Sequence, residues 1–202
     1  MAIIEANNLD MHDIYIYLIF FVVLFLVMAI YFKLADRFNI IDKPNSRSSH
    51  TLITVRGGGI IFPVAGFLYA AYFGFDYKWF LIGLLLLSII SLIDDIRELN
   101  GNIRLAFQFL AIGLLFYDLG VFQLPFYGYI PLIIFCIATL NAWNFMDGIN
   151  VITGGYSLLT RLTLIYINDQ VIAFSSTGFM DTLALALIVF IFYNFRTQAR
   201  GF

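Results

Sequence analysis

Seven apolar runs, separated by polar connectors, leave this chain few folds to choose from. They cover 14–34, 57–74, 79–93, 105–121, 128–143, 149–167 and 180–195. A helix that crosses a bilayer needs about 20 mostly apolar residues, within a range near 17–25, and these runs reach or approach it. Hydrophobic residues fill 62 % of the 202 positions and charged ones 12 %, against roughly 25 % charged in a soluble domain. The expectation is an all-α, polytopic integral membrane protein of about seven transmembrane helices, forming a single transmembrane domain over 1–202. The start, MAIIEANNLDMHD, is acidic and no small-residue cleavage site follows the first run, so that run reads as a retained span and not a signal peptide. The single cysteine, Cys136, excludes an intrachain disulfide framework and a cysteine-built zinc site. It lies in an apolar run and reads as inert packing. No basic stripe with interleaved aromatics points to nucleic acid.

Basic residues sort the connectors between the two faces of the membrane. With the N-terminus outside and the C-terminus cytoplasmic, the cytoplasmic segments are about 35–56, 94–104, 144–148 and the C-terminal tail. Together with Lys33 at the first boundary they hold Arg37, Lys43, Arg47, Arg56, Arg97, Arg104, Arg196 and Arg200, nine of the eleven basic residues. The outer connectors keep Lys78, and Arg161 lies in the outer half of the sixth run, where snorkelling to the headgroups accounts for it. The outer face carries acids instead: Glu5, Asp10, Asp13, Asp76, Asp118, Asp169 and Asp181. Every polar cluster that needs a reason faces the cytosol.

The first such cluster is Asp94-Asp95, at the end of LLLLSIISLIDDIREL. Successive residues on a helix point about 100° apart, so both carboxylates can enter one cleft only near a helix end. Two ionised carboxylates that close repel, and a hard cation relieves the repulsion. Mg²⁺ suits such a place, since it binds through one or two carboxylates and completes its shell with phosphates. A solvated pair marking the membrane boundary is the plainer alternative. In NAWNFMDGIN, residues 141–150, Asn141, Asn144 and Asp147 recur every third position and share a helical face. Gly148 then lets the chain turn. A capped helix end explains Gly148 but not three aligned polar side chains. The loop DKPNSRSSHTLITVRGGG, 42–59, carries Lys43, Arg47, His50 and Arg56 ahead of three glycines. Cations beside a glycine-rich helix start favour an anion, although topology alone also places basic residues there. Arg104 and Gln108 sit one turn apart and reach toward the same cleft, with snorkelling accounting nearly as well for Arg104.

These stretches, DKPNSRSSH with RGGG, DDIRELNGNIRLAFQ (94–108) and NAWNFMDGIN, resemble in order and spacing the polyprenyl-phosphate N-acetylhexosamine-1-phosphate transferases, glycosyltransferase family 4. The likeness runs from about residue 31 to the end. It implies transfer of a sugar-1-phosphate from a UDP-N-acetylhexosamine to undecaprenyl phosphate, with release of UMP and a need for Mg²⁺ or Mn²⁺. It further implies the bacterial inner membrane, cell-envelope polysaccharide synthesis and an active site on the cytoplasmic side, with a homodimer left open. By the same resemblance Asp94, Asp95 and Asp147 are the catalytic acids, and Asp94, Asn144 and Asp147 the metal-holding residues. Lys43, His50, Arg56, Arg104, Asn141 and Asn150 are the substrate-binding ones. DKPN and His50 bring the first loop closer to the GlcNAc branch of the family, so UDP-GlcNAc is the expected donor.

Members of the family commonly read Asp-Gly-x-Asp-Gly where this chain has Asp147-Gly148-Ile149-Asn150-Val151. Asn150 removes a charge and Val151 puts a stiff, branched side chain in place of glycine. The chain also closes on NFRTQARGF, before the point where the family carries Gly-Asp-x-Gly-Ser. The resemblance therefore implies an N-terminal portion of the transferase fold, weakly active or inactive alone. A transporter is disfavoured because the acids gather at one mouth while the run interiors are nearly free of charge. A non-catalytic membrane scaffold stays open.

Overall fold

The computed structural model describes residues 11–42, 54–74, 77–97, 99–146 and 152–194. Seven α-helices follow the seven apolar runs: α1 Met11–Phe38, α2 Ile61–Phe73, α3 Lys78–Ile96, α4 Gly101–Asp118, α5 Phe126–Met146, α6 Ile152–Gln170 and α7 Thr177–Asn194. Four of them, α1, α3, α5 and α7, are long and apolar enough to cross a membrane. The 13-residue α2 is shorter and is preceded by a 3-10 turn at Gly58–Ile60. Between α1 and α2 lies a two-residue antiparallel ladder, β1 Ile41–Asp42 with β2 Thr54–Val55, in which Ile41 faces Val55. It is a clasp within a connector and leaves the fold class all-α.

Successive helices run antiparallel, so the bundle has two ends. The core lies where α1, α2 and α7 meet: Leu24, Met28 and Phe32 of α1 pack with Ile61 and Ala65 of α2 and with Leu187, Val189 and Phe190 of α7. Aromatic contacts thicken it, Phe32 against Tyr193 at 4.8 Å and Phe62 against Phe190 at 5.7 Å. The tightest helix pair is α3 with α4. Gly83 makes that approach possible, since a Cβ there would stand 3.1 Å from the Ala111 carbonyl oxygen and 3.2 Å from its Cα. Small residues at such crossings let two membrane helices close on backbone van der Waals contact, which replaces the hydrophobic drive that lipid removes.

By contrast, α5 buries no residue within the protein, and Phe135 is 69 % exposed. A helix apolar on every side and packed on few has hydrocarbon as its solvent.

Two expected connectors are shorter than the sequence suggests. α3 continues through Asp94 and Asp95 to Ile96, and α4 begins at Gly101, so the 94–104 connector contracts to 97–100. The cause is a cap: the Asn100 side chain accepts from the Asn102 N–H at 2.9 Å, satisfying a donor at the start of α4. Likewise α1 runs on to Phe38, so the first connector starts after it.

Candidate active site

The pocket opens at the end of the bundle where α3 finishes and α4 begins. It holds about 800 Å³ and takes its walls from the start of α2, the end of α3, the start of α4 and the end of α5. Arg56, Asp94, Asp95, Arg104 and Asn144 all line it. With Gln108, six of the side chains singled out in the sequence, from Arg56 to Asn144 along the chain, thus meet at one cavity. Lys43, His50, Asp147 and Asn150 lie outside the described residues.

Each wall residue is placed by a local device. Asp94 sits in the last turn of α3, where its two carboxylate oxygens are engaged separately. Oδ1 accepts from the Leu99 N–H at 2.8 Å, and Oδ2 accepts from Arg104 Nη1 at 3.0 Å. The Arg104–Asp94 ion pair keeps 28 % and 21 % of its side chains exposed, so it is largely buried and only partly open to water at the pocket rim. Snorkelling to headgroups therefore does not describe Arg104. Its guanidinium turns inward to a carboxylate across the α3–α4 connector.

Asp95 follows on the same turn. Its backbone carbonyl accepts from Arg56 Nη1 at 3.4 Å, a long bond that ties the first connector to α3. Arg56 itself leaves the ladder with its N–H donating to the Ile40 carbonyl at 3.2 Å. Asn144 projects from the last turns of α5 onto the same cavity.

Asn141, one turn earlier on α5, does not line the cavity. Its Nδ2 donates to Gln108 Oε1 at 2.9 Å and to the Ile137 carbonyl at 2.8 Å, while Gln108 Nε2 donates back to Asn141 Oδ1 at 3.4 Å. This reciprocal amide pair fixes α5 against α4 and so sets the direction in which Asn144 points. The other amide of the pair, Gln108, does line the pocket.

Two groups at this wall escape the sequence analysis, Tyr31 and the Leu99 N–H. Tyr31 lies inside the first apolar run, and its hydroxyl donates to the Arg56 carbonyl at 2.7 Å. A signal existed in principle: it is the one hydroxyl-bearing residue between Tyr17 and the polar boundary at Lys33.

The donor set can be tested against a metal. Among the described residues no three His, Cys, Asp or Glu side chains converge, so no cage made of protein ligands alone is present. Two adjacent carboxylates and an amide on one cavity are the kind of partial shell that Mg²⁺ takes, with phosphate and water completing it. The residues fit such an ion.

Arg161 departs from the sequence reading. Rather than reaching for headgroups, its Nη2 donates to Asp181 Oδ1 at 3.1 Å across α6 and α7. Asp181 is therefore held between helices and is not simply an outer-face acid. This pair stands toward the end of the bundle away from the pocket.

Fold and site together define a helical membrane protein with a pocket of mixed charge at one mouth. The profile of glycosyl transferase family 4 matches residues 77–202, and the chain belongs to that family. Two relatives agree. An undecaprenyl-phosphate alpha-N-acetylglucosaminyl 1-phosphate transferase of Thermotoga maritima is 27 % identical over 166 residues, covering 79 % of this chain and 53 % of its own length. A probable undecaprenyl-phosphate N-acetylglucosaminyl 1-phosphate transferase of Bacillus subtilis is 26 % identical over 186 residues, covering 81 % of this chain and 50 % of its own. The chain thus spans about half the length of the curated relatives it matches. No solved structure matches it.

Proposed function

We propose that the protein takes part in transferring a sugar-1-phosphate from a UDP-N-acetylhexosamine, UDP-GlcNAc first among them, to undecaprenyl phosphate. An oxygen of the acceptor phosphate attacks the phosphorus that carries the sugar. The bond from that phosphorus to UMP breaks, UMP leaves with the electron pair, and a lipid-linked diphosphate sugar remains. The observation that carries this reading is the meeting of Arg56, Asp94, Asp95, Arg104 and Asn144 on one cavity. The names of the two relatives support the same chemistry.

In this reading Arg56 and Arg104 spread the negative charge of the donor diphosphate, because a guanidinium fork matches phosphate oxygens. Asn144 donates to the same group. Asp95 orients the acceptor phosphate or takes its proton, while Arg104 and the Leu99 N–H hold Asp94 in place. Asp94 and Asn144, with Asp147, are the residues that would hold Mg²⁺ or Mn²⁺, which supplies charge neutralisation at the diphosphate when bound. The apolar side of the cavity, with Phe62, Leu84, Leu87 and Leu140, suits the hydrocarbon of a lipid acceptor. Basic residues at the pocket end favour the cytoplasmic face of the bacterial inner membrane for this chemistry, in the service of cell-envelope polysaccharide.

The test uses the full chain in lipid nanodiscs, with Mn²⁺ binding read by electron paramagnetic resonance and UMP release read from UDP-GlcNAc and undecaprenyl phosphate. Asp94→Asn is expected to weaken Mn²⁺ binding by about tenfold or more, equivalent to ~1.4 kcal/mol, and Asp95→Asn to abolish any metal-dependent UMP release. A wild-type chain that binds no Mn²⁺, or an Asp94→Asn chain that binds it as tightly as wild type, would leave a membrane scaffold as the better description.

A further inference from the structure

The wall of the pocket formed by Arg56 and Gly57 belongs to a connector, yet its backbone is held from α1. Tyr31 is 8 % exposed, and its hydroxyl gives its hydrogen bond to the Arg56 carbonyl at 2.7 Å. The next residue, Gly57, has φ 79 and ψ 21, in the left-handed region. A side chain at 57 is excluded twice. The backbone conformation disfavours any L-residue, and a Cβ would overlap the Tyr31 hydroxyl and stand 3.2 Å from the ring carbon bearing it and 3.3 Å from Leu92 Cδ1. Tyrosine and glycine therefore interlock, the one filling the space that the other vacates.

Downstream of this interlock the Arg56 guanidinium is turned toward α3, where Nη1 donates to the Asp95 carbonyl at 3.4 Å. Both residues line the cavity. A carbonyl that has lost its buried partner rotates to find another or stays unsatisfied at a cost, and rotation of that peptide would swing the arginine attached to it.

We propose that Tyr31 is a positioning residue, holding the Arg56–Gly57 turn so that the Arg56 guanidinium meets the phosphates of a nucleotide donor at the pocket rim. The inference rests on the reading of this cavity as a nucleotide diphosphate site. Tyr31 touches no reacting atom in this scheme and acts through Arg56.

A double-mutant cycle on the full chain in nanodiscs tests it, with Kd measured for UDP and for uridine in the presence of Mg²⁺. Tyr31→Phe is expected to weaken UDP about tenfold and to leave uridine unchanged, because the loss falls on phosphate recognition. In an Arg56→Ala background Tyr31→Phe should cost nothing further, since residues acting through one contact are not additive. Gly57→Ala crowds the same turn from the other side and should reproduce the pattern, and the thermal unfolding midpoint of each variant in nanodiscs shows whether the bundle is intact. Equal weakening of UDP and uridine, additive losses, or an unchanged UDP affinity in both variants would each overturn the assignment. A wild-type chain that binds neither UDP nor uridine would instead fail the diphosphate reading itself, and with it this inference.

Discussion

A single arginine shows how much one side chain decides at the pocket rim. Arg104 gives Asp94 one of its two hydrogen bonds and its counter-charge, and the pair is partly open to water. Removing it leaves Asp94 with the Leu99 N–H alone beside the Asp95 carboxylate. Arg104→Ala is expected to lower stability by about 1–3 kcal/mol, seen as a fall in the thermal unfolding midpoint in nanodiscs. Arg104→Lys should recover part of it, because an ammonium keeps the charge but not the fork. An Arg104→Ala midpoint equal to wild type would show that the connector, not the ion pair, holds Asp94. At this scale the sequence was legible in types and illegible in partners. It marked Arg104 and Asp94 as members of one cluster, ten residues apart. It gave no sign that Arg161 pairs with Asp181, since that contact depends on the rotation of two helices about their axes. Asn141 shows the same limit: its spacing with Asn144 is a helical face, but the amide of Gln108 claims it.

Among the elements, α3 and α4 form the block that carries the acid pair. Two contacts fix their relation. Gly83, in the second turn of α3, lets them touch, and at the end away from the pocket Asp118 of α4 accepts the Phe80 N–H of α3 at 2.6 Å. That carboxylate satisfies one of the donors that every helix start leaves open, and its charge favours the positive end of the α3 dipole. Gly83→Leu is expected to destabilise by about 1–3 kcal/mol, since the obstructing atoms belong to the Ala111 backbone and cannot fold away. It should also weaken Mn²⁺ binding by moving Asp94 and Asp95 away from α4. Both are measurable on one nanodisc preparation, by thermal unfolding and electron paramagnetic resonance. Retention of both would mean that α3 shifts without disturbing the acids. The runs themselves were readable because lipid imposes a length and an apolar composition on any helix that crosses it. Their ends were not, because a cap such as Asn100 or the helical continuation through Asp94 and Asp95 leaves the hydropathy profile unchanged.

For the molecule as a whole, the asymmetry of charge makes a prediction about sidedness. Arg37, Arg56, Arg97 and Arg104 stand at the pocket end, whereas Lys78 stands at the other. In a Cys136→Ser background, Arg97→Cys should react with a membrane-impermeant maleimide only after the cytoplasmic side is opened. Gln123→Cys, on the far connector, should react in intact cells. The reverse pattern would place the pocket outside and remove its access to a cytosolic nucleotide. The general architecture was legible here because, past the long first connector, each run feeds the next through a short one, which makes neighbours alternate in direction. What the sequence could not convey is the closure of the pocket, because Arg56, Asp94, Arg104 and Asn144 come from four separate walls.

Those walls belong to two helix groups. Arg56 is anchored to α1 through Tyr31, and α1 packs with α2 and α7, while Asp94 and Arg104 belong to the tight α3–α4 pair. The contact between α2 and α3 is slighter than that between α3 and α4. A ligand bonded to Arg56 on one side and Arg104 on the other would act as a bolt through this joint, so occupancy and rigidity would rise together. The binding free energy would then appear in part as added resistance of the whole bundle to heat.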